Sequence, residues 1–227
     1  MKPLVLAISI GFVLLGSCRG VSQDQPIGLP EPALRGLSLE EAIAARRSVR
    51  SYSEDSLSMA ELSQILFAAQ GVTARRGDYG LRSAPSAGGT YPIEVYALAD
   101  RIEGLAPGIY HYEPEGHALE LVKAGSHGKS LARVCLGQSM PEEAALSVVL
   151  TAVPERTTLR YGERGIRYVH MEAGHVSQNI CLECASLGLG AVPIGAFDDG
   201  QLDRLIGIDG GQEISLYVNS IGGIREK

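Results

Sequence analysis

The stretch Ala145-Leu146-Ser147-Val148-Val149-Leu150-Thr151-Ala152 is apolar text broken only by two small hydroxyl residues. Successive side chains of a strand point to opposite faces, so a run with no polar alternation predicts a central strand buried on both. Beyond it, Tyr168 to Leu187 carries an apolar pattern at helical spacing, long enough to be the central helix, and Gly188 and Gly190 end it. A doubly buried strand beside one long helix implies layers of helices packed on a sheet.

Working outward, Ser38 followed by Glu41 makes a capping box for a helix running to about Arg47, and Ser58 followed by Glu61 repeats the device. The second helix buries Leu62, Ile65, Leu66 and Ala69 and stops near Gly71. A Gly/Arg-rich loop leads to a strand, Ile93 to Leu98. Gly108 to Tyr112 and Leu119 to Val122 then form a hairpin around Pro114 and Gly116. A helix from about Lys129 to Leu136 precedes the central strand. After the long helix come Ala191-Val192-Pro193-Ile194, a helix around Gln201 to Ile206 and a last strand, Ile214 to Val218. No internal repeat is visible, so the expected class is α+β, with helices against a mixed sheet.

The chain has 227 residues, 45% hydrophobic and 20% charged, which suits one globular domain. Its net charge of -6 speaks against nucleic acid or an anionic membrane surface as a partner, so any anion site must be local. At the start, Lys2 precedes an apolar run from Leu4 to Leu15, too short for a comfortable bilayer crossing and typical of a signal peptide. Leu15-Gly16-Ser17-Cys18 resembles the bacterial lipobox, which implies lipidation of Cys18 after cleavage. Residues 1–17 are therefore expected to be a lipoprotein signal peptide. Residues 18–36, rich in Pro and Gly, are expected to be a lipid-anchored tether, and 37–227 the folded domain. The expected location is the cell envelope, on the outer side of a bacterial membrane. There, membrane contact runs through the anchor alone.

Arg46, Arg47, Ser48 and Arg50 are clustered where the first helix ends. Guanidinium groups bind phosphate oxygens in a fixed fork, and a serine hydroxyl adds a donor. Arginines at a helix C-terminus also favour the helix dipole with no ligand at all, and the cluster alone leaves both readings open. A second feature is the loop Arg82-Ser83-Ala84-Pro85-Ser86-Ala87-Gly88-Gly89-Thr90-Tyr91-Pro92, whose small residues let backbone amides approach a flat ring or a charged oxygen. Gly190-Ala191-Val192-Pro193-Ile194-Gly195-Ala196-Phe197 has the same character.

Taken in order, Arg-Arg-Ser-Val-Arg-Ser-Tyr, Pro-Ser-Ala-Gly-Gly-Thr-Tyr-Pro and Gly-Ala-Val-Pro-Ile-Gly-Ala-Phe resemble the nitroreductase superfamily, and more closely its SagB-type dehydrogenase branch. Leu62 to Gly71, Pro107 to Tyr112 and Glu172 to Asn179 extend the resemblance over roughly residues 37 to 222. It implies a nitroreductase-like α+β fold forming an intertwined homodimer, with FMN in two sites at the subunit interface. It further implies that Arg46, Arg47, Ser48 and Arg50 hold the phosphate and ribityl chain. Pro85, Ser86, Ala87, Gly88 and Gly89 match the loop that the partner lays over the flavin, and Pro193, Ile194, Gly195 and Ala196 match the backbone facing the ring near N5. The protein's part in such a site is to orient the cofactor and tune it electrostatically.

Two departures narrow the implied function. Many nitroreductases carry Asn where this chain has Gly89, and a C-terminal basic pair that is represented here only by Arg225 and Lys227. Arg160-Tyr161 lines up with a Lys-Tyr pair that azoline-oxidising members are thought to use for proton removal, and arginine effectively cannot lose a proton. Tyr161 is left as the acid or base. A lipoprotein outside the cytoplasm has no NAD(P)H supply, so electrons must come from its small-molecule or peptide substrate or from a membrane carrier. The expectation is FMN-dependent hydride transfer. A non-catalytic FMN-binding lipoprotein and an azoline dehydrogenase acting on modified peptides are the alternatives.

Other residues read as structure. His170 and His175 stand five apart, where one-face zinc ligation needs four, so no metal site is expected. Cys181 and Cys184 share a helix face with no second pair to complete a metal set, and with Cys135 they read as buried thiols. His175, Gln178 and Asn179 read as interhelical hydrogen-bonding groups. Tyr91 and Phe197 either shape the substrate side or simply pack.

Overall fold

A computed structural model describes residues 25–33 and 35–225. Seven helices and nine strands follow in chain order: β1 (Ile27–Gly28), α1 (Leu39–Ala45), α2 (Met59–Gln70), β2 (Val72–Arg76), β3 (Tyr79–Arg82), β4 (Ile93–Ala99), β5 (Gly108–Glu113), β6 (Ala118–Ala124) and α3 (Gly128–Val134). After these come α4 (Met140–Glu143), β7 (Leu146–Ala152), α5 (Glu155–Tyr161), α6 (Arg164–Ser186), β8 (Leu189–Ile194), α7 (Asp199–Ile206) and β9 (Ile214–Gly223). Both expected capping boxes are present, each serine side chain accepting from the amide of the glutamate three residues on while that carboxylate accepts from the serine amide.

Seven strands form one sheet in the order β1-β6-β5-β4-β7-β9-β8, and β2 with β3 makes a separate hairpin. Every ladder is antiparallel; the parallel component is confined to the bridges Ser48–Ala191 and Leu57–Ile102. All seven residues of β7 are buried. Leu146, Val148, Leu150 and Ala152 join a core with α2 and α6, while Val149 joins a second core with α3 and α7. The unbroken apolar run thus has its cause: helices cover both faces of the strand.

Five differences from the sequence reading have physical reasons. The supposed loop after Gly71 is the β2–β3 hairpin, whose strands are almost entirely solvated and so show no apolar alternation. Helix α5, Glu155–Tyr161, carries two threonines and offers no propensity signal. Helix α6 starts at Arg164 rather than Tyr168. Strand β9 runs to Gly223, beyond Val218, because Asn219 and Ser220 are buried with polar partners: Ser177 Oγ donates to Asn219 Oδ1 at 2.6 Å, and the Ser147 and Ser220 hydroxyls are 3.3 Å apart. The fold also begins before Leu37. Ile27–Gly28 pairs with β6, the Leu29 amide donates to His117 O at 3.0 Å, and Ala33 exchanges two 2.7 Å bonds with the Gln64 amide. Cys18 and the rest of residues 1–24 lie outside the described residues, as does Lys227.

Between α1 and α2 the chain runs extended against the β8–β9 end of the sheet. The Val49 amide donates to Ala191 O at 3.1 Å and the Ser53 amide to Gly223 O at 2.9 Å. The Tyr52 hydroxyl, 1% exposed as a residue, sits 2.9 Å from Val49 O and 2.7 Å from Ser220 O. Gly190 and Gly222 make this approach possible: a Cβ on Gly190 would stand 2.7 Å from Val49 Cγ1, and one on Gly222 2.9 Å from Tyr52 Cβ. Gly222→Ala is therefore expected to push the Tyr52 segment off the sheet and cost roughly 1–3 kcal/mol of stability, read as a lower urea midpoint. An unchanged midpoint would mean that the segment is not held by this contact.

Candidate functional site

The structure brings the first and third sequence features together. Ser48 makes one parallel bridge to Ala191, so the basic segment meets β8 there before it crosses to Gly222 and Gly223 of β9. Arg46 is half-buried, and Arg47, Ser48 and Arg50 are exposed. One Arg47 nitrogen, Nη1, donates to Ala44 O at 2.9 Å and Arg46 O at 2.7 Å, closing the C-terminal carbonyls of α1. The helix-end reading of the cluster thus applies to Arg47, whereas Arg46, Ser48 and Arg50 make no side-chain hydrogen bond among the described residues. Arg46, Arg47 and Val49 line a cavity of about 400 Å³ together with Cys181 and Ala185 of α6 and Ile224. Arg225 joins this end, its Nε donating to Tyr52 O at 3.0 Å and its Nη2 lying 3.7 Å from Glu143 Oε2.

Beyond β8, Gly195 and Ala196 are exposed, while the Ile194 side chain is buried at 3% in the α3–α7 core. Only backbone can face a ligand along this segment. Pro193 needs no ladder partner for a missing N–H because β8 is the last strand of the sheet. Three cationic side chains, a hydroxyl and open backbone at one sheet edge suit a phosphate joined to a flat group.

The loop from Pro85 to Gly89 lies elsewhere. Ser86, Ala87 and the exposed Pro85 line a cavity of about 270 Å³ with Tyr168, Glu172 and His175 of α6. The Tyr91 amide donates to Ser86 Oγ at 2.9 Å, and Gly88 and Gly89 take φ values of 64° and 67°, which glycine adopts without strain. Arg160 and Tyr161 belong to this second group. Arg160 Nη1 is 3.3 Å from Gly88 O, its guanidinium carbon is 5.5 Å from the Tyr161 ring centroid, and a Cβ on Gly88 would come within 2.6 Å of the Tyr161 hydroxyl.

Other side chains keep structural roles. Cys135, Cys181 and Cys184 are free and buried, and burial holds their thiols above the ordinary range, Cys135 at about 11, which makes them poor nucleophiles. Asn179 Nδ2 donates to Ala68 O of α2 at 3.1 Å, an interhelical bond, whereas His175 and Gln178 are exposed. Tyr91 carries φ 43°, and its hydroxyl accepts from the Arg82 amide at 3.2 Å. Phe197 packs against the α3–α7 core.

One residue of this second group, Glu172, enters the sequence reading only as part of the segment Glu172 to Asn179, with no role of its own. Glu172 is 2% exposed, and neither carboxylate oxygen has a hydrogen-bond partner at bonding geometry; Ser86, Arg82, the Ala87 amide and Gln70 are the nearest polar groups. Its sequence signal is position, since it falls on the α6 stripe with Val169, Ala173 and Val176, where an acid is out of place. Desolvation pushes its carboxyl up from 4.5 to about 7. The fold prefers the protonated form, so this contribution to stability is whole below the unfolded value of 4.5 and is lost as pH rises through about 7. Glu172→Gln keeps the shape and removes the ionisation. It is expected to flatten the fall in stability over that window by on the order of 3 kcal/mol, measured by urea unfolding at several pH values. His111, also pushed up by its bond to Glu94, tilts both profiles alike. Identical slopes for the two proteins would show that Glu172 does not titrate there.

Comparison with known proteins finds relatives over most of the chain. The sequence model described as "Nitroreductase family" matches residues 43–222. The chain is 44% identical over 191 residues to "Putative nitroreductase MJ1384" of Methanocaldococcus jannaschii, covering 84% of this chain and 93% of that one. It is 29% identical over 151 residues to the microcin B17-processing protein McbC of Escherichia coli, covering 64% of this chain and 55% of McbC. The crystal structure of a "putative nitroreductase" from Ralstonia eutropha superposes with a TM-score of 0.78 at 29% identity, covering 100% of this chain and 97% of that one. A family model spanning most of the chain, a relative alike over nearly its whole length and the β8-edge architecture point the same way, and the chain belongs to the nitroreductase family, whose members are generally oxidoreductases.

Proposed function

We propose that the chain is an FMN-dependent oxidoreductase that exchanges hydride with an organic substrate. The observation that supports this reading is the Ser48–Ala191 bridge, which sets the Arg46–Arg50 cluster, with its phosphate-type donors, against β8, the strand that leads to the exposed backbone of Gly195 and Ala196. Bound there, FMN would supply two-electron chemistry. Arg46, Ser48, Arg50 and the free nitrogens of Arg47 would hold its phosphate, with Arg225 adding charge. Pro193 to Ala196 would face the ring with backbone alone, and Tyr161 would hold or release the proton that accompanies hydride.

The same geometry supports a homodimer. The Pro85–Gly89 loop packs by Glu172, while Cys181 lines the Arg46 cavity; these α6 positions are about 14 Å apart along the helix axis. That separation supports a dimer in which the loop of one copy would cover the phosphate site of the other. Ile166 and Met171 of α6, Leu159 of α5 and Leu39 and Ile43 of α1 leave apolar surface of the kind a partner covers. Lipidation of Cys18 would then hold the dimer at the outer side of a membrane, with electrons arriving from the substrate or a membrane carrier.

A second reading, oxidation of azolines in modified peptides, is favoured by the likeness to a microcin-processing protein and opposed by Arg160, which cannot serve as a base. Stopped-flow reduction of the flavin by a thiazoline peptide separates the two, and no fast reduction by any organic donor would leave a cofactor-binding protein without catalysis.

Protein purified from its native membrane is expected to be yellow, to release FMN on denaturation and to sediment as a dimer. Arg46→Gln and Arg50→Gln are each expected to weaken FMN binding about tenfold or more, read by titration of the apoprotein. A colourless protein that takes up no FMN would sink the proposal.

A further inference from the structure

A recess larger than the Arg46 cavity lies outside the phosphate site. It has a volume of about 580 Å³ and lies where the β2–β3 hairpin, the Gly88–Tyr91 loop and α5 meet. Its walls are Arg76, Tyr79 and Leu81 from the hairpin, Gly88 and Tyr91 from the loop, and Arg160 from α5. No acidic side chain lines it. In a chain of net charge -6, two guanidinium groups facing one recess without a carboxylate are a local reversal of sign.

Their surroundings separate these arginines from ordinary surface charge. Arg75, next to Arg76, pairs with Glu115 at 2.8 Å, whereas Arg76 and Arg160 make no ion pair among the described residues. Arg160 is held in place by Gly88 O and by the Tyr161 ring. The rest of the recess is flat and apolar. Tyr79 is 76% exposed and Leu81 41%, an unusual display for a tyrosine and a leucine with nothing to contact. Tyr91 closes the far side from a left-handed backbone, φ 43°, which a bulky residue adopts only when its surroundings impose it. That imposition is visible: Arg82 stacks on its ring at 4.8 Å and the Arg82 amide bonds its hydroxyl.

We infer that this recess takes a carboxylate joined to a planar apolar body, with Arg160 and Arg76 binding the carboxylate and Tyr79, Leu81 and Tyr91 receiving the plane. A guanidinium binds carboxylate through paired N–H donors and keeps its charge at every physiological pH, so arginine at position 160 suits recognition where lysine suits proton removal. The inference rests on the oxidoreductase reading in so far as it makes this acid the substrate, since the Gly88 side of the recess belongs to the loop proposed to cover the partner's flavin. Arg160 and Arg76 are thereby positioning residues for an acidic substrate.

The test compares 2-naphthoate with 2-naphthamide, equal in shape and different in charge, by isothermal titration calorimetry on the purified full-length protein. The acid is expected to bind about tenfold or more tightly than the amide, with the preference shrinking as salt rises. Arg160→Gln and Arg76→Gln are each expected to lower affinity for the acid about tenfold and leave the amide unchanged, while Arg160→Lys retains part of the preference. Equal binding of acid and amide by the wild-type protein overturns the inference, as does a preference that survives in the double Gln variant. The flavin spectrum, recorded on the same samples, keeps the two readings apart. Acid preference in a colourless protein defeats the oxidoreductase proposal and leaves the recess standing, and a yellow protein with no acid preference does the reverse.

Discussion

The structure depends on how closely residues 48–53 can lie against the β8–β9 end of the sheet. An edge strand offers unpaired backbone groups that must be covered or left to water. Here the covering segment is irregular, bonded to the sheet at Val49 and Ser53 and pinned by the buried Tyr52 hydroxyl between two carbonyls. Burial raises the Tyr52 phenol well above the usual range, so it stays protonated and remains a donor. Side chains at 190 or 222 would hold the segment away, and the arginines on it would lose their place beside β8. The cationic cluster therefore owes its position to two glycines far from it in sequence.

Helix α6 does a different job, spanning the molecule and carrying one part of the site near each end. Its buried face is more polar than a core helix needs to be. Ser177 reaches Asn219 in β9, Asn179 reaches the α2 backbone, and Glu172 lies near Ser86, Gln70 and the Ala87 amide with no hydrogen bond of good geometry. The first two fix the helix against the sheet and against α2, since a buried polar group strongly prefers its one partner. Glu172 lacks such a partner and sits beside the loop of small residues, a buried acid in a cleft of the kind that catalytic sites use.

Much of this was readable from the sequence, for identifiable reasons. β7 and α6 declared themselves because both are packed on by other elements and their side chains follow the period of the structure that buries them. The capping boxes were legible because each is a local bond pattern. The β2–β3 hairpin was not: water surrounds both its faces, leaving only the Gly77-Asp78 pair, with φ 61° at Gly77, as a turn signal. Strand β9 was cut short because Asn219 and Ser220 break the apolar pattern, and their partners lie 42 and 73 residues away. In the site, residue types revealed the basic cluster, but Arg76, Tyr79 and Glu172 gained meaning only from neighbours distant in the chain. The division of the site into two groups was likewise invisible before the path of α6 was known.

The clasp on residues 27–33 alters one more expectation. Had the chain stayed loose to Leu37, a domain tied down at Cys18 could wander roughly 65 Å from its point of attachment, using a fully extended chain at about 3.5 Å per residue. With Ile27 stitched to β6 and Ala33 clamped by Gln64, the leash shortens to about 30 Å. Were Cys18 lipidated as proposed, an anchored copy would stay close to the bilayer, with its β1–β6 edge nearest the point of attachment. Under that proposal a leash so short would select orientation as well as address, and would favour reactants concentrated in the layer of solution next to the membrane.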